Sequence, residues 1–255
     1  MINEFVGRSY IIKGEIIMKL IYLEHSGFML CGDDFNMVID YFKGQTDVFG
    51  IIEKHALFTV KPLYVLVSHS HPDHFDSSVL GWRLKSGDPP VYIFSSDLSG
   101  TKTSGQKVMF IKAGEEYADG VVQLKAFGST DEGVSFYIET SGKKIFHAGD
   151  LNNWHWEEES TAEEVRESEN AYLKELAIAA QKIKSLDLAM FPLDIRLGAG
   201  YMRGAQQFLD AIKVKLFAPM HFWGRFDTLP PIKEYAEERG TKVVLWEREG
   251  QEIEF

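Results

Sequence analysis

The chain has 255 residues, 45% apolar and 25% charged, which is ordinary for one large globular domain or two small ones. Its formal charge of -11, with lysine and arginine scattered rather than clustered, disfavours a nucleic-acid partner, because phosphates would be repelled without a basic stripe. No apolar run is long enough to span a membrane, the N-terminus lacks the order of a secretion signal, and a single cysteine, Cys31, excludes an internal disulfide framework, so a soluble cytoplasmic protein is expected.

Residues 1–17 read as a leading extension, since the first clear strand pattern opens at Lys19. Strands are predicted at 19–23, 27–31 and 36–41, with Cys31 a core thiol in the second. A helical pattern follows near 46–57, where His55 sits in a charged, surface-facing stretch. Leu63 to Val67, short and β-branched after Pro62, reads as a buried strand. Residues 76–85 read as a helix with Asp76 as its N-cap. Further strands are predicted at 91–94, 107–111, 120–126, 133–139 and 143–147.

The second half opens with a long helix over about 160–184, whose apolar positions recur at helical spacing through Ala171, Leu173, Leu176, Ala177 and Ala180. The acids between Glu157 and Glu169 then form a solvated face near its N-terminus, where negative charge is favourable. Strand, helix, strand, helix and strand follow at 187–191, 201–213, 215–219, 231–238 and 242–247. No repeat and no Pro/Gly/Ser-rich linker divides the chain, so one domain over 1–255 is the simplest organisation. Hairpins first and β-α alternation later predict an α/β fold of two sheets covered by helices.

The chemistry concentrates in Val67-Ser-His-Ser-His-Pro-Asp-His-Phe-Asp76, where His69, His71, Asp73 and His74 lie on the loop leaving a buried strand. In extended chain His69 and His71 point the same way and can grip one ion together. The turn at Pro72 redirects Asp73 and His74, which could face a second ion nearby. Two later strands also end in ligand types: Lys144-Ile-Phe-His-Ala-Gly-Asp150, and Leu216-Phe-Ala-Pro-Met-His221.

With these pieces the chain resembles the metallo-β-lactamase superfamily, and within it the metal-dependent hydrolases similar to ascorbate-lactone lactonases. His69-Ser-His-Pro-Asp-His74 matches that family's H-x-H-x-D-H motif, and Gly149-Asp150 and His221 follow in order. The resemblance implies a four-layer αββα sandwich. It assigns His69 and His71 to one metal site, Asp73, His74 and His221 to a second, and Asp150 as a carboxylate bridging both. Val38-Ile-Asp40 resembles the family's early strand, whose aspartate supports the metal loop from behind. One family element is missing: no histidine lies between residues 75 and 146. Laying Phe127-Gly-Ser-Thr-Asp-Glu-Gly on the family pattern puts Asp131 where that histidine stands. A carboxylate there would tilt the site towards harder ions, and the alternative is a residue that merely caps a turn.

His25 and His147 are expected to support ligands rather than bind metal. Trp154 and Trp156 either wall a substrate pocket or plug the space beneath the long helix, and His155 is expected to donate a proton or bind an anion. Arg196 either holds a substrate carboxylate or phosphate or pairs with Asp194.

The implied activity is a metal-dependent hydrolase of the lactonase, esterase or phosphodiesterase type. A metal-bound hydroxide would cleave a small ester, lactone, amide or phosphodiester, with Asp73 available to return the proton. One or two divalent ions are expected, zinc first and manganese or iron as alternatives. Iron-dependent redox chemistry on the same fold and a non-catalytic metal-binding sensor are the rival readings. No membrane partner is expected, and the oligomeric state is open.

Overall fold

Alternation along the first strand already defines the layers. In β1 (Lys19–Glu24), Leu20 and Tyr22 enter one buried cluster while Ile21 and Leu23 enter another, so this strand is covered on both faces. The computed structural model describes residues 17–44 and 48–255. The expected extension, apart from Ile17, and the beginning of the helix expected near 46 lie outside the described residues.

After β1 come β2 (Gly27–Cys31), β3 (Asn36–Ile39), β4 (Leu63–Val67), β5 (Val91–Ser95) and β6 (Val108–Ile111), all in the first sheet. The second sheet holds β7 (Glu116–Ala118), β8 (Val122–Phe127), β9 (Ser135–Thr140), β10 (Lys143–His147), β11 (Ser185–Pro192), β12 (Lys213–Met220) and β13 (Lys242–Val243). A last strand, β14 (Glu252–Glu254), returns to the first sheet and pairs antiparallel with β1, Leu20 opposite Ile253. In the first sheet the order is β14-β1-β2-β3-β4-β5-β6, and in the second β13-β12-β11-β10-β9-β8-β7. Each sheet is antiparallel at one end and parallel at the other: β3 to β6 run parallel, and so do β10 to β13.

One apolar cluster fills the space between the sheets and continues through the second sheet to the helices on its far face. Those helices are α2 (Ala162–Lys182), α3 (Arg203–Ala211) and α4 (Pro230–Glu237) once the short α1 (Phe49–Ile52) is counted in chain order. Phe208 of α3 stacks on Phe146 of β10 at 5.3 Å and lies 4.7 Å from Phe191 of β11. The second cluster covers the outer face of the first sheet with α1, the π-helical turn Glu53–Leu57 that continues it, and Val79, Leu80 and Trp82. The result is the expected four-layer αββα sandwich.

Several local expectations change. The helix expected at 76–85 is a 3₁₀ turn, Ser77–Gly81, with the carboxylate of Asp76 accepting from the Ser78 amide at 2.7 Å. The strand expected at 120–126 is one arm of the β7–β8 hairpin. Of 242–247 only Lys242–Val243 pairs, and beyond it Trp246 turns into the core and donates its indole N–H to the Pro219 carbonyl at 2.9 Å. Cys31 is partly buried against the outer cluster rather than fully enclosed, and burial pushes its thiol up to about 11.

Candidate metal centre

The chemistry-bearing side chains come from strand ends and the loops beyond them. Asp40 follows β3, residues 68–74 follow β4, Asp150 follows β10, Asp194 follows β11, and His221 follows β12. Two glycines let these loops close on one another. Gly133 has φ +74°, and a Cβ there would sit 2.0 Å from the Ser68 carbonyl oxygen. Gly149 has φ +54°, with the Val134 carbonyl 2.8 Å from where its Cβ would be. Only a residue without a side chain permits both approaches.

Two donor groups result. His69, His71 and Asp150 form one, and His25, Asp73, His74 and His221 form the other, with the donor atoms in each lying within 4.8 Å of one another. Asp150 faces both. Its Oδ2 is 3.5 Å from His69 Nε2, while its Oδ1 is 3.2 Å from His74 Nε2 and 3.5 Å from His221 Nε2.

The imidazoles are oriented from behind. Ser68 donates its backbone N–H and its hydroxyl to the two Asp40 oxygens, at 2.7 and 2.6 Å, so the hydroxyl is free only to accept from His69 Nδ1–H, at 2.9 Å. His74 Nδ1–H donates to Asp40 at 2.8 Å, and His221 Nδ1–H donates to Asp194 at 2.9 Å. In each ring the Nε2 is thereby aimed at the centre, the arrangement by which a metal-binding histidine is fixed in tautomer and direction.

The electrostatics follow from this crowding. Burial opposes charge on His74, but Asp150 and Asp40 outweigh it and raise the imidazole to about 10. Burial is likewise outweighed at His221, which Asp150 and Asp194 raise to about 9. Asp150 is held well below the carboxylate range despite burial, by His221 and His74. His25 and His69 go the other way: burial, reinforced by the nearby His221 and His74 respectively, lowers both to about 4.

The Nε2 atoms of His74 and His25 and the Oδ1 of Asp150 are buried without a hydrogen-bond partner. An unsatisfied buried polar group costs about 1–3 kcal/mol, and more if charged. A divalent cation satisfies all three atoms and compensates the buried carboxylates, so the residues fit a metal centre.

Residues 19–165 match the family described as the β-lactamase superfamily domain, more than half of the chain. The chain belongs to the metallo-β-lactamase superfamily. Among its relatives is a UPF0173 metal-dependent hydrolase of Symbiobacterium thermophilum, 26% identical, with 83% of this chain and 87% of that protein covered. Its fold is shared by Igni18, a metallo hydrolase of Ignicoccus hospitalis, at 18% identity and a TM-score of 0.64, covering 94% of this chain and 98% of the other. The diiron β-hydroxylase CmlA of Streptomyces venezuelae is also similar in fold, at 12% identity and a TM-score of 0.58, covering 94% of this chain and 54% of CmlA.

Against the superfamily pattern, the geometry gathers His69, His71, Asp73, His74, Asp150 and His221. Asp131 stands at the rim. Its Oδ2 is 3.6 Å from His71 Nδ1, outside the three-donor group, and its carboxyl is raised by partial burial and by repulsion from Asp150 and Glu132.

His155 is not brought to the centre. It is fully buried, its Nε2–H donates to the Gly200 carbonyl at 3.2 Å, and its Nδ1 accepts from the Glu157 amide at 3.1 Å, so both ring nitrogens are engaged away from any substrate. His147 is locked in the same manner, between the Ser26 carbonyl and the Gly149 amide. Trp154 does reach the centre. Its indole N–H donates to the Asp150 carbonyl at 2.8 Å and its ring lies 5.3 Å from that of His221. Trp156 stacks on Trp154 at 6.1 Å. Arg196 makes paired hydrogen bonds to Asp194 while its guanidinium covers Trp223 at 4.6 Å and Trp156 at 5.5 Å.

Three residues matter more than their sequence context suggests. Asp194 reads as a partner of Arg196, yet it also orients His221. Trp223, two residues beyond His221, lies 4.5 Å from the His25 ring. His25 itself, on the β1–β2 turn, faces the second donor group. For Asp194 and Trp223 the one signal in the chain is proximity to a recognised ligand or to Arg196, whereas His25 is expected near the metal loop as a supporting residue.

Proposed function

We propose that this chain is a metal-dependent hydrolase that cleaves a small ester, lactone, amide or phosphodiester. The observation that carries the reading is Asp150, whose two oxygens face two different sets of histidines. His69, His71 and Asp150 would hold one ion, with Asp131 completing the set, and Asp73, His74, His221 and Asp150 the other. The hydrolase names of the relatives support it. Divalent ions lower the pKa of water from about 16 towards neutrality, which supplies a nucleophile at ordinary pH without a side-chain nucleophile.

The chain's own groups do the rest. Asp40 and Asp194 hold His74 and His221 in their tautomers. Asp73, kept ionised by His25 and His74 despite burial, is placed to take a proton and return it to a leaving oxygen. Trp154, Trp156 and Trp223, with Arg196 across them, form an aromatic rim that excludes water and grips a small substrate. Zinc suits this histidine-rich set, and the acidic surface disfavours a polyanion.

The test is turnover by zinc- or manganese-loaded protein across a panel of lactones, aryl esters, amides and phosphodiesters, with Asp150→Asn as control. Hydrolysis that falls at least about 1000-fold in Asp150→Asn supports the reading. Normal metal uptake with no turnover of any substrate would leave a binding or sensing protein instead.

A second reading has its own observation. Beyond its partners in the donor group, His71 faces carboxylates, Asp131 at 3.6 Å and Glu132 at 3.9 Å, and carboxylate-rich sites favour manganese or iron over zinc. Stoichiometric iron in anaerobically purified protein, with oxygen-dependent turnover, would replace hydrolysis by iron redox chemistry.

A further inference from the structure

We infer that His25, on the turn between β1 and β2, is a direct ligand of the ion held by Asp73, His74 and His221. The inference rests on the metal-dependent reading above and extends it to a residue outside the family's metal-binding motif.

An ion about 2.0–2.2 Å from each nitrogen or oxygen ligand in four- or five-coordinate geometry sets neighbouring donors about 2.8–3.8 Å apart. His25 Nε2 lies 3.3 Å from Asp73 Oδ2, and His74 and His221 place their Nε2 atoms 3.2 and 3.5 Å from Asp150 Oδ1. These are coordination-sphere separations. His25 Nε2 is also buried without a hydrogen-bond partner among the described residues, facing Asp73 Oδ2 at 3.3 Å.

The backbone holds it there. The β1–β2 pairing slips between Tyr22 and Glu24, and His25 adopts φ +53°, a left-handed conformation that few non-glycine residues enter. Its carbonyl accepts the His221 N–H at 3.1 Å, and His221 is itself left-handed at φ +61°. Two ligand-bearing turns are thus tied together through the main chain, with their rings 4.0 Å apart. Trp223 covers the outer face of His25 at 4.5 Å and shields it from solvent.

With His25 added, this ion has four side chains and one oxygen of Asp150, all but Asp73 almost wholly buried. The other ion has His69 and Asp150 buried but His71 39% exposed at the rim. The two ions therefore differ in affinity, the His25 ion being tight and enclosed, the His71 ion weaker and open to substrate.

The experiment uses chelator-treated full-length protein titrated with zinc against a chromophoric chelator, then loaded with one equivalent of cobalt(II) for visible and X-ray absorption spectroscopy. His25→Asn keeps a side chain tolerant of the left-handed backbone, and His25→Gly removes the strain altogether, so folding is preserved in at least one variant. The expected result is a tight zinc class weakened at least tenfold in both variants, a loss of cobalt band intensity, and one fewer imidazole around the ion. His55→Asn changes none of these. Unchanged affinity and imidazole count in a folded His25 variant would overturn this inference alone. A wild-type protein that takes up no divalent ion would overturn it together with the metal-dependent reading.

Discussion

Asp131 is a carboxylate in an unfavourable place, disfavoured by partial burial and pressed by Asp150 and Glu132, with His71 at 3.6 Å and the more distant His221 answering in part. A group in that position is stabilised by a cation beside it and destabilised without one. Asp131→Ala should therefore lower the metal content of dialysed protein from two equivalents towards one, while the Tm of the metal-free protein stays level or rises. Unchanged two-metal content would leave Asp131 a turn residue, and a marked fall in metal-free Tm would make it structural. At this scale the motif residues His69, His71, Asp73 and His74 were legible because their spacing on one loop is itself the chemistry. Asp150 and His221 were legible only as strand ends in the right order. His155 misled because adjacency in sequence to Asp150 does not say where a ring points: two residues on from Asn153 its ring turns into the interior, towards Gly200.

Among the elements, the loop from Gly128 to Val134 matters most, because it presents Asp131 while packing on the metal loop. Val134 N–H donates to the Ser68 carbonyl at 2.9 Å, and Gly133 passes over the same oxygen. Gly133→Ala would drive a methyl into that carbonyl and force a left-handed alanine. The expected cost is about 1–3 kcal/mol of stability by urea unfolding, with loss of the more exposed ion before the enclosed one. Equal stability and metal content would show that the loop relaxes freely. The long α2 was readable from periodicity, and Thr161 and Glu164 form a reciprocal capping box at its start. The helix expected at 76–85 was not, because Val79, Leu80 and Trp82 satisfy the outer core from a 3₁₀ turn and an extended exit as well as a helix would. Nor were β7 and β14, three residues each: β14 pairs with β1 from the other end of the chain, and β7, though it forms a local hairpin with β8, is too short to show a period.

At the scale of the molecule, β1 to β6 with the returning β14 make one sheet and β7 to β13 the other, and the centre lies where their strand ends meet, so folding and metal binding share the same buried charges. Their pH dependence follows in sign. His25 and His69, lowered to about 4 by burial and cationic neighbours, bind fewer protons in the native state than in the unfolded chain between there and 6.5. Stability of metal-free protein therefore rises with pH across that interval. His74 and His221, raised to about 10 and about 9 by Asp150 and their orienting aspartates against the effect of burial, bind more protons natively above 6.5. Their contribution is complete below 6.5 and is lost as pH climbs through the native values. Chelator-treated protein should then be most stable near 6.5 and lose Tm on both sides. Bound ions must displace the protons on His74 and His221, so affinity should increase as pH rises from 6.5 towards 9, and the Tm optimum of metal-loaded protein should move upward. Thermal unfolding of both forms from about pH 4.5 to 9.5 reads both effects. A metal-free Tm that keeps rising above neutrality would show that these imidazoles are neutral in the native protein, and that the carboxylates around them do not control their charge.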